Sequence, residues 1–272
     1  MTRAKRKIVT KNAPSPNKPD AAPATERVDR RFVFLCGVPR SGTTALADLV
    51  NRHEKIAVGI ERFKSLAMNG ATSNLFLPDL FEKERFFDFR PTDTNVRADD
   101  IYRRMQDRFD SVEWVGDKVP RYYTKLASIY ERFCDPVVFY IVRDVKSVAN
   151  SWNIRAHNEK DHWPRENDYK AAVAEWNKGN VAALRWVRRR PESFHVISYD
   201  DLFPGGIDLV GAVLDRLDLT FTPAFLKQYK AFMEAPRRSL GERIEYPGQE
   251  EFIDANADMA TYKNLLRRRL KT

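Results

Sequence analysis

Cysteine is nearly absent from this chain: 272 residues include two, Cys36 and Cys134. Each sits in or beside an apolar segment. Two buried thiols are expected, not a disulfide, which fits a reducing compartment. Histidine is scarce as well, with four residues, and no obvious metal-ligating cluster stands out, so no metal is expected. No apolar run reaches the ~18 residues of a membrane span. Basic residues open the chain without an apolar stretch behind them, which is not the pattern of a secretory signal. A cytoplasmic location is the expectation.

What is present is 43% apolar and 31% charged, the composition of a globular protein. The length suits one α/β domain with a large core. The net charge of +9 is unevenly placed: residues 1–31 carry nine Lys or Arg against three acids. That opening segment also holds four prolines and little apolar surface, so a disordered basic tail is expected there. The remaining residues are close to balanced. Basicity is thus mostly a tail property, and no specific nucleic-acid partner is expected.

The most informative stretch is residues 32–51, FVFLCGVPRSGTTALADLVN. Residues 32–36 read as a buried strand. Thr43 and Thr44 open a helix whose apolar face runs through Leu46, Leu49 and Val50. A strand, a glycine-containing loop and a helix N-terminus in succession form an anion site, because backbone N–H groups and the positive helix end point at the same spot. The spacing from Gly37 to Gly42 is that of a P-loop, but Thr43 stands where nucleotide kinases and ATPases carry lysine. The cation lies inside the loop instead, at Arg40.

Further strands are expected at 56–58, 112–118, 136–142 and 194–198, with helices between them. That alternation predicts a doubly wound parallel sheet. Such sheets bind ligands beyond the carboxyl ends of their strands. Glu61, Lys118, Arg143 and Tyr199 all fall at those ends. Ser151 lies eight residues after Arg143, and Arg155 one helical turn further, so the three can converge on one phosphate. The residues alone leave other readings open. Glu61 can be a surface ion pair with Arg62 or Lys64, Lys118 a solvated lysine, Arg143 a partner of Asp144, and Tyr199 a buried ring closing the sheet.

Residues 65–110 are rich in aromatics and expected to form short helices capping the site, with Phe81, Phe86, Phe87 and Phe89 in a core. Helices are expected over 98–109, 122–133, 168–190, 207–217, 223–232 and 259–270, and a polar loop over 236–256.

GVPRSGTT after a strand resembles the 5′-phosphosulfate loop of sulfotransferases that use 3′-phosphoadenosine 5′-phosphosulfate (PAPS). The internal arginine is similar to that of tyrosylprotein sulfotransferases and many bacterial sulfotransferases. Arg143 and Ser151 resemble the 3′-phosphate site of that family, and Arg155 matches an arginine added in the tyrosylprotein branch. The segment beginning KVP at Lys118 resembles the family's KDP or KSP segment, and YDDL at Tyr199 is similar to its Y-E-D-L.

The resemblance implies a P-loop-like doubly wound parallel sheet flanked by helices, as a single domain over 32–272. It implies PAPS as donor and 3′,5′-adenosine bisphosphate as product, bound through Pro39, Arg40, Ser41, Gly42, Thr43, Thr44, Arg143, Ser151, Arg155 and Tyr199. Glu61 is then the catalytic base, and Arg40 and Lys118 stabilise the leaving 5′-phosphate. The match is poor over 65–110 and after 203. Acceptor choice is expected there, among carbohydrate, lipid, peptide and small-metabolite hydroxyls or amines. The competing reading is a P-loop kinase, which needs the loop lysine and Mg²⁺-binding acids.

Overall fold

Five apolar runs become five strands: β1 (Arg31–Gly37), β2 (Ile56–Ile60), β3 (Trp114–Lys118), β4 (Val137–Val142) and β5 (Phe194–Ser198). They pair in the order β2-β3-β1-β4-β5, and every pairing is parallel. The computed structural model describes residues 30–94, 96, 99–203, 205–235 and 246–271. Apart from Arg30 and Arg31, the expected basic tail lies outside the described residues.

The helices follow in chain order as α1 (Thr43–Val50), α2 (Lys64–Met68), α3 (Lys83–Phe87), α4 (Asp99–Gln106), α5 (Leu126–Arg132) and α6 (Val145–Ala156). Then come α7 (Tyr169–Arg189), α8 (Tyr199–Leu202), α9 (Ile207–Asp215), α10 (Pro223–Glu234), α11 (Gln249–Asn256) and α12 (Met259–Leu266). Both faces of the sheet are covered, which is why its strands are mostly apolar, with Asp117 and Lys118 of β3 as the charged exceptions at a carboxyl end. Val33 and Leu35 pack on one face with residues of α1, α9 and α10. Phe34 and Cys36 pack on the other with α5, α6, α7 and the aromatic residues of 76–109. The alternation along β1 is the period of two that a strand requires.

Phe81 and Phe86 are buried, and Phe87 and Phe89 pack against the same core. The described residues between 64 and 111 include α2, α3, α4 and three short 3-10 turns. The expected helix over 122–133 is split. Residues Pro120–Thr124 form a 3-10 turn, Lys125 departs from helical backbone, and α5 begins after it. The expected loop over 236–256 is corrected in part: 236–245 lie outside the described residues, and α11 occupies the end of the segment. It starts at Gly248 in the left-handed region and buries Ile253. Arg269 pairs with Asp201, and the Leu270 N–H donates to Val196 O at 2.8 Å on β5. Both cysteines are free thiols, but only Cys36 is buried; Cys134 is exposed in the turn between α5 and β4.

Candidate active site

The loop after β1 needs two left-handed residues, Arg40 at φ 77° and Gly42 at φ 99°. Glycine is required at 42 for a second reason: a Cβ there would lie 2.4 Å from the Tyr199 ring. The first turn of α1 has no side-chain cap. Its N–H groups are therefore offered to whatever anion the loop encloses. Helix α6 clamps the loop from behind. The Trp152 Nε1–H donates to Pro39 O at 2.8 Å, and Arg40 Nε donates to Ser151 Oγ at 2.9 Å.

Arg143, just past β4, lies with its guanidinium 4.0 Å over the Tyr199 ring. Its buried Nε has no partner among the described residues, and neither has the buried Ser41 Oγ. Arg155 is bound bidentately by Asp161 at 2.6 and 2.7 Å and stacks 4.5 Å from the Trp163 ring. Burial first, then the nearby Arg155 and Arg143, lower the Arg40 pKa, with Asp161 opposing them. Three guanidinium groups thus crowd one end of the site, and a bound anion would relieve that crowding.

Glu61 follows β2 with φ 53°. Its N–H donates to Lys118 O at 2.8 Å, extending the β2–β3 ladder by one residue. Lys118 Nζ donates to Glu61 Oε1 at 3.1 Å, and Lys64 Nζ pairs with Oε2 at 2.7 Å. Burial alone would raise the Glu61 pKa, but Lys118 and Lys64 outweigh it and hold the carboxyl below its ordinary range. Lys118 is 1% exposed, and burial lowers its pKa against the pull of Glu61 and Asp117.

These groups share one cleft of ≈ 260 Å³. Pro39, Arg40, Gly42, Thr43 and Thr44 line it from the loop; Glu61 and Lys118 line one end, and Arg143, Arg155 and Tyr199 the other. Of the residues expected from sequence, Ser41 and Ser151 do not line it. Ser41 is buried beneath the loop, and Ser151 is reached by Arg40. Ala45, Pro120 and Trp163 complete the lining. Trp163 had one available signal, a lone tryptophan in the charged run DHWPREN. None of the described residues of 65–110 lines this cleft, and no histidine does. His53 Nε2 meets Thr220 O, and His195 is buried in β5.

A family model described as "Sulfotransferase family" matches residues 33–223. Among solved structures, the fold is similar to the sulfotransferase domain from the curacin biosynthetic pathway. The TM-score is 0.51 at 21% identity, over 91% of this chain and 94% of that one. The sulfotransferase domain of the Synechococcus PCC 7002 olefin synthase gives 0.51 at 17% identity, over 95% and 100%. Mouse sulfotransferase SULT7A1, solved in complex with PAP, gives 0.51 at 11%, over 89% and 88%. At these identities the likeness is one of fold. A comparison with curated protein sequences gives no match.

Proposed function

The chain belongs to the sulfotransferase family, and from that premise we propose that it moves a sulfuryl group from PAPS to an acceptor hydroxyl or amine, with Glu61 as general base. One observation carries the reading: a phosphate loop containing Arg40 lies between two further guanidinium groups, Arg143 and Arg155, and a carboxylate–lysine pair, all in one cleft. PAPS presents a 5′-phosphosulfate and a 3′-phosphate a nucleoside apart, and so needs two anion sites. The loop with Arg40 supplies the first. Arg143 and Arg155 supply the second, with guanidinium donors suited to phosphate oxygens.

In this mechanism the acceptor oxygen or nitrogen forms a bond to sulfur as the bond from sulfur to the bridging phosphate oxygen breaks. The acceptor proton passes to Glu61, which its lysine partners keep ionised and ready to receive it. Charge gathers on the departing 5′-phosphate of 3′,5′-adenosine bisphosphate, where Arg40 and Lys118 oppose it. A sulfuryl group carries less charge than a phosphoryl group, so side-chain cations suit it. The acceptor is a carbohydrate, lipid, peptide or small metabolite, chosen by segments outside the shared donor site. No helix among the described residues is long and apolar enough to cross a membrane; a cytoplasmic site of action is part of the proposal, as is a single catalytic domain over 32–272.

Calorimetric titration with 3′,5′-adenosine bisphosphate, against Mg·ATP as comparator, tests the donor. Tight bisphosphate binding is expected, weakened roughly 10- to 100-fold in Arg143→Ala through loss of charge-assisted hydrogen bonds. Preference for Mg·ATP with no bisphosphate binding overturns the reading.

A further inference from the structure

Glu61 stands just past the end of β2, where its N–H still reaches Lys118 O. It follows the last residue of β2 with φ 53°, a region where a residue with a Cβ is strained unless its surroundings fix it. The carboxylate of Asp117 supplies that fixing. Asp117 Oδ1 accepts the Arg62 N–H at 2.9 Å, and Oδ2 accepts the Phe63 N–H at 2.9 Å and the Tyr122 hydroxyl at 3.0 Å. The two residues directly after Glu61 are thus tied by their backbone to one side chain.

The sheet register makes room for this. Gly59 on β2 is paired with Asp117 on β3. A Cβ at 59 would stand 2.6 Å from Arg62 Cβ and 3.0 Å from Asp117 Oδ1. The missing side chain is therefore the gap through which the carboxylate reaches the turn. The next residue of β3 is Lys118, whose Nζ meets Glu61. On the other side of the strand end, the Ile60 N–H donates to the Tyr102 hydroxyl at 2.9 Å.

Asp117 is 0% exposed and does not line the cleft. Lys118, Glu61, Tyr102, Tyr122 and Arg62 are the ionisable groups around it. A carboxyl in such a place is costly to bury, and burial pushes its pKa up. An apolar side chain would fill the same volume without that cost, but it would leave two buried N–H groups unsatisfied and the Glu61 turn free to relax.

We propose that Asp117 is the positioning residue of Glu61: by accepting the N–H groups of Arg62 and Phe63 it locks the left-handed turn and keeps the Glu61 carboxylate against Lys118 in the cleft. The proposal rests on Glu61 being the base, and the test separates the two.

Asp117→Asn and Glu61→Gln are measured side by side for bisphosphate affinity, turnover per nucleotide-binding site and the acid limb of kcat/KM. In Asp117→Asn an amide N–H₂ replaces one acceptor and faces a backbone donor. Affinity is expected to be unchanged, since the loop and Arg143 are untouched. Turnover per site falls roughly 10²-fold, the scale of a misplaced catalytic group. The acid limb moves up, because a carboxyl drifting from its lysines loses the charges that lowered its pKa. A merely structural Asp117 would reduce the folded fraction and leave turnover per site and the acid limb at wild-type values. That outcome, with Glu61→Gln inactive, overturns the positioning role and leaves the base in place. An active Glu61→Gln removes the base, and the positioning role with it. Should Asp117→Asn fail to fold, Tyr122→Phe carries the test, since it removes one donor and keeps the ring. A several-fold loss of turnover with the same upward limb supports the proposal, and wild-type values for both overturn it.

Discussion

At the end of the cleft formed by Arg143 and Arg155, beside Arg40 of the loop, one carboxylate, Asp161 on Arg155, faces three guanidinium groups, and the Arg143 Nε is unpartnered among the described residues. At the Glu61 end, charges are matched before any ligand arrives. Glu61 has Lys118 and Lys64, and fully buried Arg62 has Asp93 at 2.8 Å and the carbonyls of Phe86 and Asp88. Arg85 adds a second ion pair to Asp93. The first end holds an excess of positive charge, which a bound anion would reduce. At the second, cations and carboxylates are paired within the protein. The two ends thus differ in whether their charges already cancel, which is what the proposed binding and positioning roles require.

The comparison breaks if the ends do not respond separately. Glu61→Gln has the largest expected effect, a loss of roughly 10²- to 10⁴-fold in turnover, with bisphosphate affinity retained in calorimetry. A parallel loss of affinity would mean that the ends are not independent. Arg62→Met leaves the buried Asp93 carboxylate to Arg85 and the carbonyls of Phe86 and Asp88 without their Arg62 donors, and is expected to cost about 1–3 kcal/mol of stability in urea unfolding. The folded fraction should still bind bisphosphate normally, and unchanged stability would show that the matched charges hold nothing. The third test sharpens the background beneath both ends. His195 in β5 has its pKa lowered to about 4, by burial first and then by Arg216. The unfolded chain takes up this proton below the ordinary histidine value, and the folded chain does not until about 4. Stability therefore falls as pH drops through that window, by up to about 1.4 kcal/mol per pH unit. His195→Leu should flatten this part of the curve; an unchanged slope would assign it to another group.

Most strands were legible because they are buried on both faces and so are written as runs of apolar residues; β3, WVGDK, is apolar only at its start. Glu61, Lys118 and Arg143 were legible because a parallel sheet exposes the ends of its strands on one side. Arg62 was not. Its place in the core depends on Asp93 and on carbonyls of residues 86 and 88, and no local period marks such a pairing. The same holds for Asp117, whose role depends on the register that sets it beside Gly59. Helix α11 was missed because its sequence, QEEFIDAN, offers two large apolar side chains and no strong stripe. The ion pair of Arg155 with Asp161 was hidden because it closes a polar loop, where charged residues usually face water.

The two cysteines differ in a way that matters at the bench. Cys36 is sealed inside the sheet, where burial drives its thiol far from ionisation, whereas Cys134 is exposed in the turn that leads into β4. The cleft lies at the opposite, carboxyl ends of the strands. Among the described residues the protein thus has a single maleimide-reactive handle, placed by the fold itself on the far side of the sheet from the cleft, where a dye or a surface tether leaves the cleft open.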